Sequence, residues 1–176
     1  MKIIKPLYLS EKSYISNLLK PFTIITILTN FLKELLIKRK FKIKTICVGN
    51  LYIGGTGKTS LCIEINKILK KKFKTTFIKK NYHDQFDERK MLQNHGELIS
   101  DDNRSKSLEK AESKKLDIAI LDDGLQDKKI YYDISIACFN STYGIGNGYL
   151  IPAGPLRERL EVLKKYDAIF LIGEKK

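Results

Sequence analysis

The stretch Ile43-Lys44-Thr45-Ile46-Cys47-Val48-Gly49-Asn50-Leu51-Tyr52-Ile53-Gly54-Gly55-Thr56-Gly57-Lys58-Thr59-Ser60 decides the fold. Ile43 to Val48 is short and apolar, as a buried strand is. Gly49 to Gly57 is a glycine-rich loop, and residues 58 to 72 read as a helix whose basic last turn, Lys70 to Lys72, suits the negative end of the helix dipole. Strand, glycine loop and helix in that order are the context that a phosphate-binding loop requires. Glycine lets the backbone curl until its N–H groups point at phosphate oxygens, and the helix N-terminus adds a favourable partial charge. Gly54, Gly55, Thr56, Gly57, Lys58, Thr59 and Ser60 are the expected nucleotide-binding residues. Lys58 is expected to reach the β- and γ-phosphates of ATP, and the Thr59 hydroxyl to bind Mg²⁺. Tyr52 stands where such loops usually carry their first glycine, and no third glycine falls where a dinucleotide fingerprint needs one.

Outward from this loop, Thr75 to Ile78 reads as a second strand, Asn81 to Glu88 as a polar loop and Leu108 to Lys115 as a helix. Leu116 to Leu121 and Ile134 to Phe139 read as strands, Tyr143 to Pro155 as a Gly- and Pro-rich loop, residues 156 to 165 as a helix and Ala168 to Ile172 as a final strand. Short apolar strands alternating with helices predict an α/β, P-loop NTPase-like fold, a mainly parallel sheet with flanking helices. Leu121-Asp122-Asp123-Gly124 places two carboxylates at the end of an apolar strand, downstream of the phosphate loop. Magnesium takes one or two carboxylates plus phosphate oxygens and water, so Asp122 and Asp123 join Thr59 as candidate metal ligands.

The beginning of the chain has a different character. The 176 residues carry a net charge of +13, and residues 1 to 44 hold ten Lys or Arg against Glu11 and Glu34, which is +8 of that excess. Between Lys20 and Lys33 lie twelve uncharged residues, fewer than the ~20 that span a bilayer as a helix. At helical period Ile15, Leu18, Leu19, Phe22, Ile25, Leu28, Leu32, Leu35 and Leu36 share one broad face, with Ser16, Lys20, Thr23, Asn30, Lys33 and Glu34 opposite. Followed by the basic run Lys38 to Lys44, this amphipathic N-terminal helix suits a membrane surface. A helix packed through its apolar face on the protein's own core has the same pattern. Residues 1–42 are expected to be a basic amphipathic, membrane-associating segment and 43–176 the P-loop domain. The basic excess is not interleaved with stacking aromatics, which argues against nucleic acid. Asn66-Lys67 continues into Ile68-Leu69, so the guanine-selecting Asn-Lys-x-Asp is missing there. Cys47, Cys62 and Cys138 lack zinc or redox spacing and read as buried thiols of a reducing compartment. His83 and His95 are isolated.

Three segments together resemble one family, the tetraacyldisaccharide 4'-kinases, which phosphorylate the lipid A precursor. Val48 to Thr59 resembles the family's phosphate loop, which also lacks the first glycine. Ile120-Leu121-Asp122-Asp123-Gly124-Leu125-Gln126 resembles its metal motif, and Asn147-Gly148-Tyr149-Leu150-Ile151-Pro152-Ala153-Gly154-Pro155-Leu156-Arg157-Glu158 its Pro-Ala-Gly-x-Leu-Arg-Glu signature. The resemblance implies ATP-dependent phosphorylation, with Mg²⁺, of the 4' hydroxyl of a tetraacyl glucosamine disaccharide 1-phosphate. It also implies a peripheral location on the cytoplasmic face of the bacterial inner membrane. Asn147, Arg157 and Glu158 would line the substrate site. Phe86-Asp87-Glu88 resembles the family's Gly-Asp-Glu, which makes Asp87 the candidate for orienting or deprotonating the acceptor hydroxyl, beside Lys58 and Asp122 in catalysis.

Two departures accompany the resemblance. Lys79-Lys80-Asn81-Tyr82-His83-Asp84 keeps only the tyrosine of the family's Ser-Arg-Gly-Tyr-Gly-like segment. The family's second lobe, with a histidine that partners the catalytic Asp, would lie beyond Lys176. The chain therefore reads as the nucleotide-binding half of such an enzyme, with a catalytically silent nucleotide-binding remnant as the rival. Oligomeric state is not legible in these residues.

Overall fold

A computed structural model describes residues 6–82 and 85–173. Its centre is a six-stranded sheet, wholly parallel, in the order β3-β2-β4-β1-β5-β6. The strands are β1 (Lys44–Gly49), β2 (Thr75–Lys80), β3 (Leu98–Asp101), β4 (Ile118–Asp122), β5 (Ile134–Asn140) and β6 (Ala168–Ile172). The helices are α1 (Tyr14–Leu19), α2 (Thr23–Glu34), α3 (Lys58–Leu69), α4 (Phe86–Gln93) and α5 (Arg104–Ser113). Parallel strands need crossovers, and α3, α4 and α5 provide them. Two apolar clusters, one on Cys47, Ile78, Leu121 and Ala137 and one on Val48, Phe77, Ile120 and Cys138, cover opposite faces of the sheet. That two-sided burial is why the central strands are apolar runs rather than alternating ones. All three cysteines are buried and free.

Several expectations are corrected here. Asn81 to Glu88 is not all loop: α4 starts at Phe86, with Asp87 and Glu88 in its first turn, where carboxylates favour the helix dipole. The segment before Leu108, for which the sequence suggests no element, contains β3 and the start of α5, which Asn103 caps by accepting from the Ser105 amide at 2.9 Å. The helix expected over 156 to 165 is a shorter 3₁₀ turn, Leu160–Lys165. His83 and Asp84 lie outside the described residues.

The N-terminal segment is helical from Tyr14 to Glu34, tightened into a 3₁₀ turn at Lys20–Phe22 around Pro21. Ser13 and Ser16 form a reciprocal capping box at its start. These 21 residues are long and apolar enough to cross a membrane by length and composition, so the twelve-residue count underestimated the rod. Its orientation is the reverse of a helix packed on the core through its apolar face. Thr26 Oγ1 donates to the Ile151 carbonyl at 2.6 Å, Asn30 Nδ2 to the Arg157 carbonyl at 2.8 Å, and Glu34 pairs with Lys165 at 2.9 Å. Residues 26, 30 and 34, one turn apart, form the inward face, joined by Ile27 against the core. Ile24, Ile25, Leu28, Phe31, Leu32 and Leu35 are each more than half exposed. The body of the fold gathers the chain from Arg39, whose backbone bridges to Ile130, and from Phe41, which is buried.

Candidate active site

β1 lies between β4 and β5, so the C-terminal ends of β1 and β4 meet beside the point where strand order reverses, where ligands of open α/β sheets bind. Register carries this to named residues, since Val48 faces Asp122 across the β1–β4 pair. The loop leaving β1 and the carboxylate ending β4 are therefore neighbours by construction.

The loop is held from inside. Asn50 is fully buried, and its Nδ2 donates to the Tyr52 carbonyl at 2.6 Å, the Thr56 hydroxyl at 3.0 Å and the Gly54 carbonyl at 3.2 Å. Gln126 Nε2 donates to the Asn50 carbonyl at 2.8 Å, and the Cys138 thiol to the Thr56 carbonyl at 2.9 Å. Gly57 caps α3 in the left-handed conformation, φ 78°, and a Cβ there would come 2.4 Å from Ile172 Cδ1. Only glycine meets both conditions. Asn50 and Gln126 carried no assigned role in the sequence reading, because an amide that braces a loop looks like any other polar loop residue until its partners are known.

Thr59 Oγ1 donates to Asp122 Oδ2 at 2.9 Å. Asp122 is fully buried, and its Oδ1 has no hydrogen-bond partner in the protein. A buried carboxylate oxygen left without a donor is costly, and a dication or its bound water is the group that would satisfy it. The hydroxyl beside it is the second oxygen of such a site, and Mg²⁺ asks no more of the protein than one or two ligands. Among the described residues no cluster of three or more His, Cys, Asp or Glu could hold a metal by itself. The residues present thus fit a metal that arrives with phosphate oxygens.

Lys58 Nζ stands 3.6 Å from Asp123 Oδ1. Asp123 has φ 61°, a left-handed conformation that Asp tolerates better than most residues. Arg157 Nη1 reaches the same carboxylate at 3.3 Å and Gln126 Oε1 at 3.2 Å, while Arg104 Nη2 donates to the Asp123 carbonyl at 2.7 Å. Burial alone would push the Asp123 carboxyl up; the charges of Lys58, Arg157 and Arg104 outweigh it and hold the group below the usual carboxylate range.

Sequence reasoning missed Lys79. It ends an apolar strand, yet its side chain is only 2% exposed, and Nζ lies 2.7 Å from Asp122 Oδ2 and 2.5 Å from Glu88 Oε2. Desolvation would lower its pKa, but the Asp122 charge and the hydrogen bonds to Asp122 and Glu88 raise it, so the ammonium is retained. Two lysines after Phe77-Ile78 were the signal available: in a strand buried on both faces, the first of them has to find a counter-charge. Glu88 brings α4 to the site, and Asp87, exposed, sits in the same helical turn.

The remaining expected residues separate into two groups. Arg157 joins the cluster around Asp123. Asn147 does not: it is buried, its Nδ2 donates to the Tyr8 and Ala153 carbonyls, both at 2.8 Å, and its Oδ1 accepts from the Tyr149 amide at 2.9 Å. It holds the loop around the signature together, and Gly154 is part of that packing, because a Cβ there would lie 2.1 Å from Asn147 Oδ1. Glu158 is also buried, paired with Lys128 at 2.8 Å. Beside Asp123 opens a cavity of about 330 Å³ whose wall includes Lys33, Lys80, Arg104, Lys128, Lys129 and Arg157, with Asp123 and Asp127 as its carboxylates.

Comparison with known proteins identifies the family. The family profile described as LpxK, tetraacyldisaccharide-1-P 4'-kinase, matches residues 15–97 and 79–176. The tetraacyldisaccharide 4'-kinase of Pelagibacter ubique is 50% identical over 179 residues, which cover 98% of this chain and 56% of that protein. That of Rickettsia typhi is 33% identical, with 98% and 60% covered. Among solved structures, LpxK from Aquifex aeolicus, crystallised in complex with ATP, superposes with a TM-score of 0.77 at 26% identity, over 89% of this chain and 58% of that one. The chain thus spans less than two thirds of the length of these relatives. With the profile running from the N-terminal helix through β6, and the same fold in the Aquifex structure, the chain belongs to the tetraacyldisaccharide 4'-kinase family.

Proposed function

We propose that this chain binds ATP and carries the phosphoryl-transfer residues of a kinase that phosphorylates the 4' hydroxyl of a tetraacyl glucosamine disaccharide 1-phosphate. The observation that carries the reading is the pairing of Thr59 with Asp122, whose second carboxylate oxygen is buried and without a partner. Thr59 and Asp122, with Asp123 nearby, would hold Mg²⁺, which when bound neutralises charge on the phosphates of ATP. The loop Gly54 to Ser60 would bind those phosphates through backbone N–H groups, already arranged by the bonds of Asn50. Lys58, at present 3.6 Å from Asp123, has a flexible stem and would move to the transferring phosphoryl group. That group carries most of the transition-state charge, so fixed cations and donors are the main means of acceleration. Asp87 would orient or deprotonate the acceptor hydroxyl.

The cationic cavity beside Asp123 supports an anionic acceptor. Six Lys or Arg stand against two Asp, and even with Lys128 paired to Glu158 the wall keeps a positive excess that attracts a phosphate-bearing sugar; Lys33 of α2 is one of the six. The headgroup site therefore opens next to the helix whose apolar side chains face outward, and the acyl chains of a lipid would lie along that helix. Thr26 and Asn30, near the middle of the rod, bond to the loop that carries Arg157. A helix tied there to the catalytic body suits an interfacial position better than a crossing one. Membership of the family, whose relatives are tetraacyldisaccharide 4'-kinases, supports a peripheral position at the cytoplasmic face of the inner membrane, which we propose.

The test is transfer of labelled γ-phosphate from ATP to a tetraacyl disaccharide 1-phosphate in mixed micelles. Asp122→Asn is expected to abolish Mg²⁺-dependent transfer while ATP still binds in the absence of metal. An unchanged Mg²⁺ activation curve would overturn the assignment of Asp122.

A further inference from the structure

We infer that Lys79 is a built-in cation that sets the divalent-metal affinity of the Asp122 site, holding it low until ATP is bound. This rests on the metal site proposed above. Asp122 Oδ2 accepts from both the Thr59 hydroxyl and the Lys79 ammonium, so the candidate metal carboxylate already has a cation against it. Lys79 cannot serve as a phosphate ligand from where it lies. Its side chain is 2% exposed, and two of its three protons already point at Asp122 and Glu88.

Two consequences follow from charge and direction. Lys79 and Thr59 occupy Oδ2 and leave Oδ1 as the oxygen available to a metal, so Lys79 fixes which edge of the carboxylate is presented. A dication at that edge would stand within a few ångströms of a fixed, desolvated positive charge, and at that range like charges repel strongly. Lys79 offsets the buried charge of Asp122, while Glu88, its other partner, is half exposed and screened by water, so the free site attracts a metal weakly. The phosphates of ATP bring negative charge sufficient to offset Lys79, and metal and nucleotide then bind with positive coupling, each favouring the other. Glu88 extends the device. By pairing with the same ammonium it ties the first turn of α4 to the end of β4.

The experiment is titration of Mn²⁺ onto the full chain, with free Mn²⁺ read by electron paramagnetic resonance, without nucleotide and with the chain saturated by ATP. Lys79→Met keeps the length of the side chain and removes its charge. It is expected to tighten Mn²⁺ binding to the nucleotide-free chain about tenfold or more and to shrink the difference between the two conditions. Its melting temperature is expected to fall without metal and to recover on adding Mn²⁺, a rescue that a purely structural lysine would not show. Equal Mn²⁺ affinity in Lys79→Met and the unaltered chain would overturn the inference. Should Lys79→Met fail to fold, Lys79→Gln, which keeps a donor to Asp122 without the charge, decides by the same titration: tighter Mn²⁺ binding to the nucleotide-free chain supports the inference, and unchanged affinity overturns it. Asp122→Asn separates the two levels. If it leaves Mn²⁺ binding to the ATP-loaded chain intact, the metal site itself is wrong. If it weakens that binding while Lys79→Met changes nothing, only the role of Lys79 is wrong.

Discussion

The phosphate-loop end of the sheet and the N-terminal rod solve opposite problems. Around Asn50, Thr59, Asp122 and Lys79, polar groups are buried and paired with each other, inside a core that covers the sheet on both faces. Along α2 the polar residues Thr26, Asn30 and Glu34 turn inward to the protein, and Ile24, Ile25, Leu28, Phe31, Leu32 and Leu35 turn outward. The first region carries its own stabilising partners. The second gains little from water and needs another apolar surface to bury that stripe. The difference teaches that amphipathicity reports which faces of a helix differ, not which face the protein keeps.

The comparison is sharpened most by separating the two regions functionally. Lys58→Ala should lower phosphoryl transfer by about 10²–10³, the usual effect of removing one strong transition-state contact. Its binding to anionic vesicles should match the unaltered chain in co-sedimentation. A parallel loss of both would mean that the two regions are not independent.

Next in size is the outward stripe. Replacing Leu28 and Leu32 together by Glu should weaken vesicle binding by about 10² or more, since each buried leucine contributes roughly 1.5–3 kcal/mol. ATP affinity should be unchanged. Binding that survives the double substitution would break the comparison, because the apolar face would then not be the contact surface. High salt should weaken the binding that remains, through the basic run after α2.

The bracing amide comes third. Asn50→Ala removes a donor shared by three acceptors around the loop and leaves them partly unsatisfied, a loss of roughly 1–3 kcal/mol. ATP affinity should fall by about two- to tenfold if half of that appears as loosened loop geometry. Calorimetric titration measures it. Unaltered affinity would show that the loop is held by Gly57 and the helix alone.

The smallest effect lies at the start of β1, away from the phosphate loop, where Thr45 meets Asp133. Burial raises the Asp133 pKa, but the Thr45 amide and hydroxyl, then Lys44, outweigh it and hold the carboxyl below its ordinary value. A depressed folded pKa gives stability that is present above the unfolded pKa, near 4, and disappears as pH falls through the lower folded value. Asp133→Asn should therefore cost about 1 kcal/mol at neutral pH and progressively less below about pH 4. Thermal melts across pH 2–7 would show the two curves converging on the acid side; a constant gap would mean that the charge of Asp133 is not what Thr45 reads.

Reading the chain alone was enough where local physics and function coincide. The glycine loop after β1 needs left-handed and open backbone at Gly54 and Gly57, and the apolar strand ending on Asp122 needs burial on both faces. Both requirements are written into consecutive residues. It was insufficient for β3, whose four residues at the sheet edge are too short for a periodic signal, and for α4, whose polar composition resembles a loop. The amides of Asn50, Gln126 and Asn147 act as braces through partners up to 139 residues away along the chain.

What the sequence by itself determined is the order of elements, the phosphate loop with Lys58 and Thr59, the carboxylates at the end of β4, and the family. All of these are properties of short segments whose geometry is set by sterics and periodicity. Only the tertiary structure decided that Lys79 stands against Asp122, that Asn147 holds a loop, and that the N-terminal rod turns its polar face inward. Those outcomes depend on which groups from separate segments meet, and a buried charge or an exposed apolar face takes its meaning from the partner that it finds or lacks.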